Sequence, residues 1–210
     1  MTGLSYDRLI ETPVATDPFR HVVVEHFVPP EVLEGVVADL PAVERRGSFP
    51  VTALRFGPRA AALMAELEGP RLRAAIAEKF GLDLRDAGTM VTLRGQSRER
   101  DGKIHTDSLA KRVTVLLYLN PDSAAWARRE GCLRLLRGPD DIEDFAVEVP
   151  PVNGTLLVFP NGPNTFHGHK QFLGRRYVVQ LNYMTADQAA RSELRRHKVS
   201  ALVKRLLHAA

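Results

Sequence analysis

The sequence predicts a mainly β fold with flanking helices (α+β), built on a double-stranded β-helix, or jelly-roll, core. Three observations predict it. The hydrophobic period is helical before residue 90 and switches to a two-residue alternation after it. Short strand candidates then follow one another, separated by turn dipeptides such as Asp101-Gly102, Asn120-Pro121, Gly138-Pro139 and Asn153-Gly154. Finally, 210 residues at 44% hydrophobic and 26% charged suit one domain with a sizeable core.

Taken in order, Phe19 to Phe27 is rich in valine and aromatics and reads as a strand. Pro29-Pro30 ends it and opens a helix from Glu31 to Leu40, with Val32, Leu33, Val36 and Val37 on one face. Pro41 to Pro50 reads as a loop. Two helices follow, Arg59 to Glu68 and Pro70 to Phe80, with Gly81 as the cap of the second. The strand candidates are Met90–Arg94, Lys103–Asp107, Val113–Asn120, Leu133–Leu136, Phe145–Val149, Thr155–Phe159 and Arg176–Met184. Ala186 to Leu207 reads as a helix whose Val199, Leu202, Val203 and Leu206 form one stripe, packing on the barrel or on a second subunit. The expected organisation is one domain, with helical support in 1–89, the core in 90–185 and a basic helix in 186–210.

The net charge of +4 is concentrated at the C-terminus. Between Arg191 and Arg205 stand six basic residues and one acid, so the body is close to neutral. Such a run is most simply a solvated helix face, although it also suits an acidic partner. The single cysteine, Cys132, excludes an internal disulfide framework and suits a reducing compartment. Met1 to Asp7 lacks the pattern of a secretory signal, and apolar runs such as Val113 to Leu119 are too short to span a bilayer. A cytoplasmic protein is expected.

The candidate chemistry begins at His105-Thr106-Asp107. Side chains two apart on an extended segment point to the same face, so one strand end can offer two ligands to one metal. A third ligand has to come from a distant stretch. His167 and His169 both qualify, and on an extended segment both face the same way. Two imidazoles and one carboxylate form a facial triad suited to non-haem Fe(II), with open positions left for other ligands. A lone H-x-D arises often by chance, and a lone histidine is more often a hydrogen-bonded structural residue.

Beyond this pair, Met90 to Tyr183 resembles the catalytic core of the prolyl-hydroxylase-like branch of the Fe(II)/2-oxoglutarate-dependent dioxygenases. The residues that carry the likeness are His105-Thr106-Asp107, Tyr118-Leu119-Asn120, Gly131-Cys132-Leu133-Arg134-Leu135, the run from Pro151 to Phe159, then His167 and Arg176-Tyr177. They stand in the family's order and spacing. The resemblance implies Fe(II) held by His105, Asp107 and His167. It implies 2-oxoglutarate as co-substrate, with its distal carboxylate on Arg176 and a hydrogen bond from Tyr118. Arginine suits that task because its planar fork grips a carboxylate with two hydrogen bonds and keeps its charge.

Strand alternation from Tyr118 puts Leu116 and Thr114 in the same pocket, with Leu133 as a further apolar wall. Arg94 precedes H-x-D where relatives place a polar residue near the metal-bound end of the co-substrate. Arg175, beside Arg176, should face outward. Many relatives carry Ser or Thr where this chain has Val178. The implied reaction uses O2, with ascorbate as a reductant, and yields succinate, CO2 and a hydroxylated C–H bond. The substrate is a small metabolite, amino acid, saccharide or protein side chain. The competing reading is a silent jelly-roll module that senses iron or 2-oxoglutarate. A nucleic-acid repair role is disfavoured, because the Arg-x-Asn-x-Thr-x-Arg spacing of that branch is absent from Arg176 to Asn182. Trp126 and Cys132 read as packing residues, and Asn153-Gly154-Thr155 as a turn.

Overall fold

In the computed structural model, the described residues are 3–45, 47–99, 101–187, 192–196 and 199. In chain order the elements are α1 (Tyr6–Glu11), β1 (Val22–Val24), α2 (Pro30–Ala38), β2 (Phe49–Pro50), α3 (Pro58–Glu68), α4 (Pro70–Phe80), β3 (Thr89–Ser97), β4 (Lys111–Tyr118), β5 (Leu133–Leu136), β6 (Phe145–Val149), β7 (Leu156–Pro160), β8 (His167–Gly168) and β9 (Gly174–Met184).

Three of the helices open on proline, at Pro30, Pro58 and Pro70. A first-turn N–H has no intrahelical acceptor, so proline loses nothing there and presets φ. Gly81 ends α4 at φ +63°, a left-handed conformation that glycine adopts without strain.

The strands form two antiparallel sheets rather than a closed barrel. The large sheet runs β1-β7-β4-β9-β3-β2 and the small one β6-β5-β8. One face of the large sheet packs on the helices. Val91, Leu93, Val113, Val115, Leu117, Val179, Leu181 and Tyr183 share a core with Leu63, Leu67, Leu72, Ile76 and Phe80. The other face meets the small sheet through Leu116, Tyr118, Leu157, Phe159 and Val178 against Leu133, Leu135 and Val149. β4 is therefore covered on both sides, and its last six residues are all buried. This is the jelly-roll arrangement expected from the strand pattern.

Several boundaries differ from the sequence expectation. The first strand is only Val22–Val24, because His26 turns to φ +53° and stops the extended run. Pro41 to Pro50 is not wholly a loop. Phe49–Pro50 pairs with β3 at a sheet edge, where proline's missing N–H costs little. The short helix α1 was not anticipated. Lys103–Asp107 is not a strand; it makes a single bridge, His105 to His167, because its partner β8 has only two residues. At the C-terminus, residues 192–196 and 199 are helical, and Leu194 packs with Met90, Ala110 and Met184. Of the expected apolar stripe, Val199 is exposed and the rest lies outside the described residues. No helix among the described residues is long and apolar enough to cross a membrane.

Candidate metal centre

His105 and His167 form a directly opposed antiparallel pair. Each donates its backbone N–H to the other's carbonyl, at 3.0 and 2.9 Å. Residues paired this way place their side chains on one face, and the two rings lie 4.4 Å apart between centroids. Gly168 makes the approach possible. A Cβ there would stand 2.8 Å from the Gly102 carbonyl oxygen, so any side chain would push the two segments apart. Asp107, two residues beyond His105, completes the group. Ligand atoms of His105, Asp107 and His167 all lie within 4.8 Å of one another.

Both imidazoles are oriented from behind. His105 Nδ1 lies 2.8 Å from the Lys103 carbonyl and His167 Nδ1 2.9 Å from that of Thr165. A carbonyl can only accept, so each Nδ1 carries the proton and each Nε2 keeps its lone pair for a metal. Burial, reinforced by the nearby His105, pushes the His167 pKa down to about 4, so the ring is neutral near pH 7. Burial alone would raise the Asp107 pKa. The charge of Lys111 and two hydrogen bonds outweigh it, and the net shift is downward. Those bonds come from Lys111 Nζ to Oδ1 at 2.7 Å and from the Thr114 hydroxyl to Oδ2 at 2.6 Å. The donor set thus fits a divalent ion: two imidazoles and one anionic carboxylate.

The three residues line a cavity of about 180 Å³, together with Arg94, Lys111, Thr114, Leu116, Tyr118, Leu133, His169, Arg176, Val178 and Gln180. That volume suits a ligand well below drug size. Arg176 is 7% exposed. Its Nε donates to the Gly131 carbonyl at 2.9 Å, its guanidinium lies 5.5 Å from the Tyr118 ring centre, and it pairs with no carboxylate among the described residues. Burial pulls its pKa down, with Tyr118 opposing. The Tyr118 hydroxyl is fully buried and has no hydrogen-bond partner, and burial raises its pKa to about 12. A buried cation and an orphaned hydroxyl side by side make a receptor for an acid group. Asn120 fixes this end: its Oδ1 accepts the Tyr177 N–H at 2.7 Å and its Nδ2 donates to the Tyr177 carbonyl at 3.0 Å, pinning β9 next to Arg176.

Every site residue expected from the sequence lies in this cavity. Arg175 is exposed, as alternation required. Arg94 reaches the lining while bound to the Ser48 hydroxyl at 2.8 Å and to Asp101 at 3.5 Å. The Thr114 hydroxyl is turned to Asp107 rather than into open space. His169 lines the cavity but stands outside the three-ligand group. Trp126 stacks on Phe172 at 4.7 Å, away from the cavity, and Cys132 is a buried thiol with a raised pKa, unsuited to nucleophilic work. Sequence reasoning missed Gln180, although alternation from Arg176 reaches it, and Lys111, which alternation from Tyr118 puts on the wrong face.

A family model, the 2OG-Fe(II) oxygenase superfamily, matches residues 93–184. No curated protein sequence matches the chain. Among solved structures, it is similar to a prolyl-4-hydroxylase from Pseudomonas putida, with 18% identity and a TM-score of 0.55 over 88% of this chain and 94% of that one. A structure of prolyl 4-hydroxylases from Phytophthora capsici aligns at 15% identity and TM-score 0.53, covering 96% and 76%. AviO1 from Streptomyces viridochromogenes aligns at 14% and 0.52, covering 86% and 94%. At these identities the structural likeness speaks for the fold alone. The family match carries more, because it spans every residue that lines the cavity and implies Fe(II), 2-oxoglutarate and O2 as the reagents. Over residues 93–184 the chain matches the 2OG-Fe(II) oxygenase superfamily, and that match supports a dioxygenase.

Proposed function

We propose that the chain is a cytoplasmic single-domain hydroxylase. It oxidises an unactivated C–H bond of a small metabolite, amino acid, saccharide or protein side chain. His105, Asp107 and His167 hold Fe(II), and Arg176 with Tyr118 holds the distal carboxylate of 2-oxoglutarate. Ascorbate serves as the reductant. One observation carries the reading: a three-ligand group with free donor atoms shares a small cavity with a buried guanidinium that lacks an acid partner.

Bound Fe(II) and 2-oxoglutarate supply the activation of O2, coupling decarboxylation to oxygen insertion. The protein's own part is positioning and shielding. Lys103 and Thr165 carbonyls lock the two imidazoles. Thr114 orients the Asp107 carboxylate. Arg176, always protonated, receives a carboxylate, and Tyr118 donates its O–H to the same group. Leu116, Leu133 and Val178 keep water from the walls.

The test is succinate formation from 2-oxoglutarate with Fe(II), O2 and ascorbate. Wild-type protein should give iron-dependent succinate. Arg176→Ala should raise the 2-oxoglutarate requirement steeply while metal still binds, and Tyr118→Phe should raise it less. Unaltered co-substrate affinity in Arg176→Ala would overturn its assignment, and absence of succinate with all reagents present would favour a sensing module.

A further inference from the structure

Lys111 reaches the cavity through a fault in the strand. Along β4, Thr114, Leu116 and Tyr118 face the cavity, so strict alternation sends Arg112 inward and Lys111 toward the helices. The structure has the reverse. The β4–β9 register shifts between Lys111 and Val113, which oppose Met184 and Tyr183, leaving Arg112 as one extra residue. This bulge re-aims both side chains. Arg112 turns outward to the Asp83 carbonyl, and Lys111 enters the cavity with 14% of its side chain exposed.

Three cations line the cavity, Arg94, Lys111 and Arg176, against one acid, Asp107. Arg94 has Asp101 as its counter-charge, and Arg176 faces the carboxylate receptor described above. Among the described residues Lys111 has only Asp107, at 2.7 Å, which is itself a metal-ligand candidate. A divalent ion on Asp107 would take up the charge that now balances Lys111. It would leave an ammonium beside the metal, mostly shielded from water, with no anion of its own. An uncompensated charge in such a place is costly, and an incoming anion relieves it.

We propose that Lys111 is an anion receptor at the metal site and that the substrate oxidised here carries a carboxylate or phosphate group. This rests on the functional reading above. Lys111 is then the residue that selects an acidic substrate and sets its distance from the iron. Lysine suits the role better than arginine would, because a compact ammonium on a flexible stem can leave Asp107 and turn to a new partner.

The test uses the full chain loaded with Mn(II), which binds without turnover, and with 2-oxoglutarate. Inorganic phosphate and acetate are titrated in as probes, and their binding is read from the Mn(II) electron-paramagnetic-resonance signal. Wild type should respond saturably. Lys111→Met should weaken probe binding by roughly tenfold or more, Lys111→Arg should keep most of it, and Mn(II) affinity should hold or tighten once a competing ammonium is gone. Equal probe binding in wild type and Lys111→Met overturns the inference, as does a wild type that holds Mn(II) and 2-oxoglutarate but ignores both anions. A Lys111→Met loss confined to 2-oxoglutarate also overturns it, by making Lys111 a co-substrate contact. Failure of wild type to bind Mn(II) overturns the metal reading itself and takes this inference with it.

Discussion

The two faces of β4 and β9 are made by the same hydrogen-bonded ladder and behave as opposites. Toward the helices stand Val113, Val115, Leu117, Val179, Leu181 and Tyr183, closed into one apolar core. Toward the small sheet stand Thr114, Leu116, Tyr118, Arg176, Val178 and Gln180, mixing walls with polar groups and leaving the Tyr118 hydroxyl unsatisfied. An unpaired buried hydroxyl costs stability. Each face bears one, Tyr118 on the cavity side and Tyr183 on the helix side, so the contrast lies in the charged and polar side chains that the cavity face gathers. Changes on one face should therefore register as lost chemistry, and on the other as lost stability.

The largest effect is expected from His167→Ala. Iron-dependent succinate formation should fall to background while the thermal midpoint stays near wild type; a matching collapse of the midpoint would erase the contrast between faces. Next comes the opposite face. Leu117→Ala should cost about 2–5 kcal/mol in urea unfolding, with 2-oxoglutarate affinity of the folded protein preserved in calorimetry. Thr114→Val sits on the cavity face and removes the hydroxyl's hydrogen bonds to the Asp107 carboxylate and to Asn182 Oδ1. It should weaken metal affinity by roughly 10–100-fold and leave unfolding cooperative.

A last contrast is a pH dependence of the metal-free protein. His167 and His169 are both held down to about 4 by burial, His105 adding to the first and Arg176 to the second. The ordinary histidine value is about 6.5, so between those limits the unfolded chain binds more protons than the folded one. Stability should be fully present above about pH 6.5 and decline toward pH 4, by up to about 1.4 kcal/mol per pH unit for each histidine. His169→Gln should roughly halve that slope; an unchanged slope would assign the effect elsewhere.

Much of the site was legible because strand geometry is periodic. Counting back by two from Tyr118 reached Leu116 and Thr114, and the same rule turned Arg175 outward and Arg176 inward. The rule failed where the backbone broke period. The bulge at Arg112 moved Lys111 to the cavity, and no residue type in that stretch announces a bulge. It was also silent on His167 against His169, which alternation treats alike. The cross-strand pairing of His167 with His105 decided between them. Helices α3 and α4 were readable from their apolar stripes and flanking Pro and Gly, whereas α1 was too short to show a period.

The sequence by itself determined the alternation that splits each central strand into two faces, the proline and glycine signals that bound the helices, and the residue types able to bind a metal and a carboxylate. These are local properties, carried by side-chain chemistry and by the two-residue or helical repeat. Only the tertiary structure decided that His105 meets His167 across a two-residue strand, that Tyr118 keeps a buried hydroxyl beside Arg176, and that Lys111 stands at Asp107. Those depend on register between segments tens of residues apart, and register is set by packing of the whole sheet against its helices rather than by any stretch of chain alone.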